Sequence, residues 1–138
     1  MSDREAIIEL LGRAGWAFDT QNIDVLCHSY TDDGQFHLQI QQGDLIRFDG
    51  LGVVRAMYEE AMAAQRSQGD QRRHIVTNFF FGDETPSSAL ATSYLLLMSI
   101  SKDQIRVVTT GIYTDTVVKD SGRWRIRHRH LYLDLPPI

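Results

Sequence analysis

The order of sequence patterns predicts an α+β fold, with helices first and a sheet of long antiparallel strands second. Three observations carry this. Apolar residues recur at three- and four-residue spacings in segments that end near Asp19 and at Gly69. Beyond Gly69, four long strand-like segments follow one another with only short turns between them. Helical and strand patterns do not alternate along the chain, as they would in a βαβ parallel sheet.

The first element opens on a capping-box pattern, Ser2-x-x-Glu5, which satisfies the free N–H groups of a helix start. Ile7, Leu11, Ala14 and Phe18 then share a face, so this helix should run to about Asp19. A short second helix is expected from Ile23 to His28, capped by Asn22 or Thr20. Gln35 to Ile40 and Leu45 to Phe48 read as a hairpin around Gln42-Gly43-Asp44. Asp49-Gly50 leads into a third helix with the stripe Val54, Met57, Tyr58 and Ala61, ended by Gly69. Strands are expected at Arg73 to Phe81, Ala89 to Ile100, Ile105 to Val118 and Arg123 to Leu133. Turn-forming residues separate them, as in Lys119-Asp120-Ser121-Gly122. Such a meander must bury one face, and the three helices are available to cover it.

The 138 residues fit a single domain, 1–138, without repeats or linkers. Hydrophobic residues make up 43% and charged residues 23%, enough for one core without staples. The lone Cys27 rules out an internal disulfide framework and a cysteine-rich zinc site. No signal-peptide pattern and no apolar run of membrane-spanning length is visible, so a cytoplasmic protein is expected. The net charge of −4 argues against general affinity for nucleic acid, despite the basic run Arg123, Arg125, Arg127 and Arg129.

Two residues stand out chemically. Ile8, Leu11, Gly15 and Asp19 fall on one helical stripe, so a carboxylate ends an apolar face one turn after a glycine. A buried carboxylate needs a partner, whereas a carboxylate at a frayed end would cap the next helix or face water. In Arg73 to Phe81, alternation puts His74, Val76, Asn78 and Phe80 on one face. A neutral histidine beside a carboxylate is the usual general base; the competing reading is a core histidine with its hydrogen bonds satisfied. His128 and His130 have ligand-like spacing, but no third ligand accompanies them and no metal site is assigned. The four arginines of that strand share a face unless a β-bulge swaps the parity, in which case one near the strand end reaches the interior. Gly111 marks a bulge or bend. Tyr30, Tyr58, Tyr94 and Tyr113 read first as packed rings with satisfied hydroxyls.

The chain resembles the SnoaL-like branch of the nuclear transport factor 2-like superfamily. The features that carry this are Ala17-Phe18-Asp19, Ile23-Asp24-Val25-Leu26, Tyr30-Thr31-Asp32-Asp33-Gly34 and Phe48-Asp49-Gly50. Arg73-His74-Ile75-Val76-Thr77-Asn78, Gly111-Ile112-Tyr113-Thr114-Asp115 and Gly122-Arg123-Trp124-Arg125-Ile126 complete the set, in the family's order. The resemblance implies a cone-shaped α+β barrel, a curved antiparallel sheet covered by three helices from the N-terminal half. Within that superfamily it resembles the group containing scytalone dehydratase, bile acid 7α-dehydratase, hexachlorocyclohexane dehydrochlorinase and the small subunits of ring-hydroxylating dioxygenases. In the lyases of that group a histidine at the position of His74 acts as base, and an aspartate at the position of Asp19 orients it. Arg129 stands where the dehydrochlorinase has a pocket arginine.

The resemblance therefore implies a cofactor-free lyase or isomerase acting on a small apolar or aromatic molecule. Asp19 and His74 would be its catalytic pair, and Trp16, Tyr30, Met57, Val76, Asn78, Tyr94 and Arg129 would surround the substrate. Two positions depart from the family: Ala14 replaces a functional lysine or tyrosine, and Leu38 replaces the tyrosine that polarises the dehydratase substrate. The alternatives are a non-catalytic assembly module, like the dioxygenase small subunits, and a ligand-binding module without turnover. A homodimer or homotrimer is implied, with the outer sheet face as its contact.

Overall fold

The computed structural model describes residues 1–138 and begins with helix α1, Asp3–Asp19. Ser2 Oγ caps it by accepting from the Glu5 N–H at 3.2 Å. Helix α2, Ile23–His28, is capped by Asn22, whose side-chain oxygen accepts from the Val25 N–H. Strand β1 (Tyr30–Ile40) and the short β2 (Ile46–Asp49) form the expected hairpin. Helix α3, Leu51–Gln68, ends at Gly69 in the left-handed conformation. The Gly69 and Asp70 N–H groups return to the Arg66 and Gln65 carbonyls, satisfying the last free acceptors of the helix. Strands β3 (Gln71–Thr85), β4 (Ser88–Ser101), β5 (Gln104–Asp120) and β6 (Arg123–Leu133) follow as an antiparallel meander.

All six strands belong to one sheet in the order β2-β1-β6-β5-β4-β3. The sheet is mixed rather than wholly antiparallel, because β6 returns to lie parallel to β1. It is curved but not closed, so the fold is an open α+β cone with β2 and β3 as free edges. The helices fill the concave side. Ile7, Leu11, Ala14 and Ala17 of α1 and Val54, Tyr58 and Met62 of α3 are buried against Leu95, Leu97, Tyr113, Ile126 and Leu131 of the sheet. Ile8 falls off the buried stripe and is partly exposed.

Gly15 and Gly111 each admit a close approach between elements. A Cβ on Gly15 would meet the His74 Cβ at 3.2 Å, so α1 lies directly on β3 at this point instead of leaving a gap. A Cβ on Gly111 would collide with the Tyr132 carbonyl; this glycine admits the neighbouring strand, not a bulge.

Bulges set which side chains face inward. In β6, Ile126 pairs with Val117 and His128 with Thr116, so Arg127 is an extra residue. Before it, Trp124 and Ile126 are buried; after it, Arg129, Leu131 and Leu133 are. In β3, Thr77 pairs with Tyr94 and Phe80 with Thr92, leaving Asn78 and Phe79 opposite the single residue Ser93. Asn78 takes a φ of 60° there. Strict alternation therefore fails in β3: His74, Val76, Phe79 and Phe81 face the helices, and Phe80 faces out.

Candidate active site

Asp19 is the last residue of α1, and both of its oxygens are committed to His74. Oδ2 accepts from the His74 backbone N–H at 2.8 Å, and Oδ1 accepts from ring Nδ1–H at 2.6 Å. Both side chains are buried. The helix end is held by Gln71, whose side-chain amide donates to the Asp19 carbonyl at 2.8 Å. Gly15, one turn earlier, lets the helix come close enough for this double contact. With Nδ1–H given to the carboxylate, Nε2 of the neutral ring carries the free lone pair. Phe18 stacks on the imidazole with centroids 4.7 Å apart.

His74 lies on the wall of a cavity of about 560 Å³ between the sheet and helices α1 and α3. Of its 23 lining residues 15 are hydrophobic, so a bound molecule would be largely shielded from water. Gln68, Arg106 and Ile138, all exposed, mark its open end. Apart from His74 and the residues of the open end, its polar lining side chains are Tyr58, Gln65, Arg72, Tyr113 and Arg129. Arg129 grips Asp115 with two parallel hydrogen bonds, Nε to Oδ1 at 2.8 Å and Nη2 to Oδ2 at 3.0 Å, and its guanidinium lies 3.8 Å over the Tyr113 ring. Burial disfavours the Arg129 charge, but the Asp115 carboxylate, foremost among the opposing groups, more than restores it and holds the guanidinium protonated. Burial also pushes the Tyr113, Tyr30 and Tyr58 phenols upward.

The residues expected around a substrate divide sharply. Met57 and Arg129 line the cavity together with His74. Tyr30 is buried behind the wall, its hydroxyl 2.6 Å from that of Tyr58. Val76 packs beneath Gly15 and the core, off the cavity surface. Trp16 does not belong to the site: it is 56% exposed on the solvent side of α1. Tyr94, 52% exposed, pairs with Thr77 and Ile112 on the convex face, because the inward parity of β4 falls on Ser93 and Leu95. Asn78 is turned outward by the β3 bulge. From the sequence Tyr58 read as a packed ring with its hydroxyl satisfied, and Asp115 figured only within a family motif, without a role. The α3 stripe and the alternation Tyr113, Asp115, Val117 placed both on buried faces, but neither pattern names a buried partner.

His128 and His130 lie on the other side of the sheet. His128 Nε2–H donates to His37 Nδ1 at 2.8 Å, and His37 Nε2–H donates to Asp49 Oδ1 at 2.8 Å. These groups form a line, not a converging ligand set, and no cluster of three or more His, Cys, Asp or Glu side chains is arranged to hold a metal. Burial, with His37 and His130 adding to it, lowers the His128 pKa.

No helix is long and apolar enough to cross a membrane. A search of curated proteins found no match. Solved structures of similar fold are numerous. One is a protein described as the beta subunit of an aromatic-ring-hydroxylating dioxygenase from Novosphingobium aromaticivorans, 17% identical, with 97% of this chain and 90% of that chain covered and a TM-score of 0.80. Another is ActVI-ORFA from Streptomyces coelicolor, 20% identical, covering 96% and 98% of the two chains at a TM-score of 0.80. A third, from Nostoc punctiforme, is described as a protein of unknown function with a cystatin-like fold; it is 22% identical over 99% and 96% of the chains, with a TM-score of 0.76. At these identities the likeness speaks to fold alone. The family model for the SnoaL-like domain matches residues 1–130, which is nearly the whole chain, and the protein therefore belongs to the SnoaL-like family.

Proposed function

We propose that this chain is a cofactor-free lyase or isomerase acting on a small, largely apolar organic molecule. The observation that carries the reading is the double hold of Asp19 on the backbone and ring of His74, which leaves Nε2 of a neutral imidazole at the wall of an apolar cavity. Nε2 removes a proton from carbon next to a carbonyl or leaving group. Asp19 keeps the tautomer and stabilises the imidazolium that results. Exclusion of water strengthens both effects.

The test is α-proton exchange into D2O followed by NMR, run over a panel of cyclic and aromatic ketones. His74→Ala is expected to lose about 10²–10⁴-fold in kcat on any ketone that exchanges. Asp19→Asn should fall by a comparable factor while the chain stays folded. Exchange that survives both changes would remove the dyad from the chemistry.

A second reading has its own observation. Ile75, Phe80, Tyr94 and Ile112 leave the convex sheet face partly bare and apolar, and similar solved structures include dioxygenase beta subunits. This fits an assembly role. The enzymatic reading accommodates the same face as the contact of a homodimer or homotrimer.

A further inference from the structure

The dyad supplies a base but nothing to receive the charge that proton removal creates. Ala14 of α1 and Leu38 of β1, both on the cavity wall, are apolar and offer no such group. A different element provides one. Tyr58, on α3, lines the cavity and has its ring edge-on to Phe18, centroids 5.2 Å apart. Phe18 in turn stacks on His74. The base and the phenol thus flank one aromatic ring, and all three residues line the same cavity.

The direction of the Tyr58 proton follows from its neighbour. Tyr30 has no exposed surface, and the one hydrogen bond its hydroxyl makes is to the Tyr58 hydroxyl, at 2.6 Å. A buried O–H left without an acceptor is costly, so Tyr30 donates and Tyr58 accepts. The Tyr58 proton is then free to point into the cavity. Burial raises both phenols; for Tyr58, the Arg129 charge and the hydrogen bond from Tyr30 oppose that rise. Tyr58 therefore stays a protonated donor.

We infer that Tyr58 is the hydrogen-bond donor to the carbonyl oxygen of the substrate, with Tyr30 as the residue that positions it, and that the substrate class is a mainly apolar ketone or enone. This rests on His74 as base. In the step, Nε2 takes the α-proton, the C–H electron pair forms the C=C bond of an enolate, and the carbonyl π pair moves to the oxygen held by Tyr58. No oxidant or co-reactant enters.

Two probes test it on the full chain: 1-tetralone, for α-proton exchange in D2O, and 2-naphthol, a stable mimic of an enol, for binding by fluorescence. Tyr58→Phe is expected to weaken 2-naphthol binding by about tenfold or more and to lower kcat for exchange by roughly 10²–10³-fold, with KM changing little. Tyr30→Phe should lower kcat less, with KM and Tm unchanged. The double variant should be no slower than Tyr58→Phe alone, since Tyr30 acts only through Tyr58. Removing both hydroxyls together also leaves no stranded partner, so it serves as the folding control. Equal 2-naphthol affinity in wild type and Tyr58→Phe overturns the proposal. Full exchange by Tyr58→Phe alongside loss in His74→Ala overturns the donor and keeps the base. Naphthol binding that depends on Tyr58, in a chain whose exchange survives His74→Ala, keeps the donor and overturns the base.

Discussion

Asp115 has no exposed surface and answers the only buried guanidinium in the molecule through two parallel hydrogen bonds, so neither charge has water to return to. Breaking such a pair from one side strands the other charge. Asp115→Asn is expected to cost about 3–5 kcal/mol in urea denaturation. The double change Arg129→Met, Asp115→Leu should cost less, because it removes both charges together. A single variant within 1 kcal/mol of wild type would mean that the pair is better solvated than its burial implies. This pair also shows where sequence reading reaches its limit. Asp19 and His74 each break a local pattern, a carboxylate closing an apolar helical stripe one turn after a glycine and a histidine in an apolar strand, but each pattern left a purely structural reading open and it was the family resemblance that joined the two as a pair. Asp115 breaks its strand's pattern as well, but an acid reads as buried only when its partner is known, and Arg129 shares its strand with three other arginines. Trp16 and Tyr94 were expected to line the pocket. Helix and strand parity put both outside.

The bulge in β6 decides which of those arginines is inside. One extra residue, Arg127, moves the inward set from Trp124 and Ile126 to Arg129, Leu131 and Leu133. Deleting Arg127 should therefore join Ile126 and His128 in plain alternation, keep Arg129, Leu131 and Leu133 inward and leave a folded protein. Arg127→Ala keeps the extra residue and should shift stability by no more than about 0.5 kcal/mol, as for other exposed positions. Thermal melts of the two variants compare the bulge with the side chain directly; a deletion variant that fails to fold would show that the bend at Arg127, and not parity alone, is required. A parity swap of this kind was readable from four arginines that cannot all be buried on one face. The bulge in β3 was not, since Asn78 and Phe80 give alternation no reason to fail. The helices and the meander were also legible, because their periodicities are local. The parallel pairing of β1 with β6 was not: it joins opposite ends of the chain, and nothing within either strand encodes its neighbour.

The three helices cover only the concave side of the cone, and the convex side stays uncovered. Across β3, β4 and β5, Ile75, Phe80, Tyr94 and Ile112 lie on that face, with Phe80 63% exposed. The paired strands bring Thr77, Tyr94 and Ile112 side by side, so these residues form a patch rather than scattered exposures. A stable contact needs roughly 800 Å² from each partner, which a face of three long strands is large enough to supply. Sedimentation velocity at about 50 μM is expected to show a dimer or trimer, that concentration being well above the Kd of an ordinary specific interface. Phe80→Glu with Tyr94→Glu should return it to monomer, because each added carboxylate would have to be buried without a partner. Neither residue touches the cavity, so α-proton exchange by the monomeric variant should match wild type. A wild-type chain that is already monomeric would argue instead for a different partner on this face, the situation of a small subunit awaiting its large one, and a variant that keeps its mass would place the contact elsewhere on the molecule.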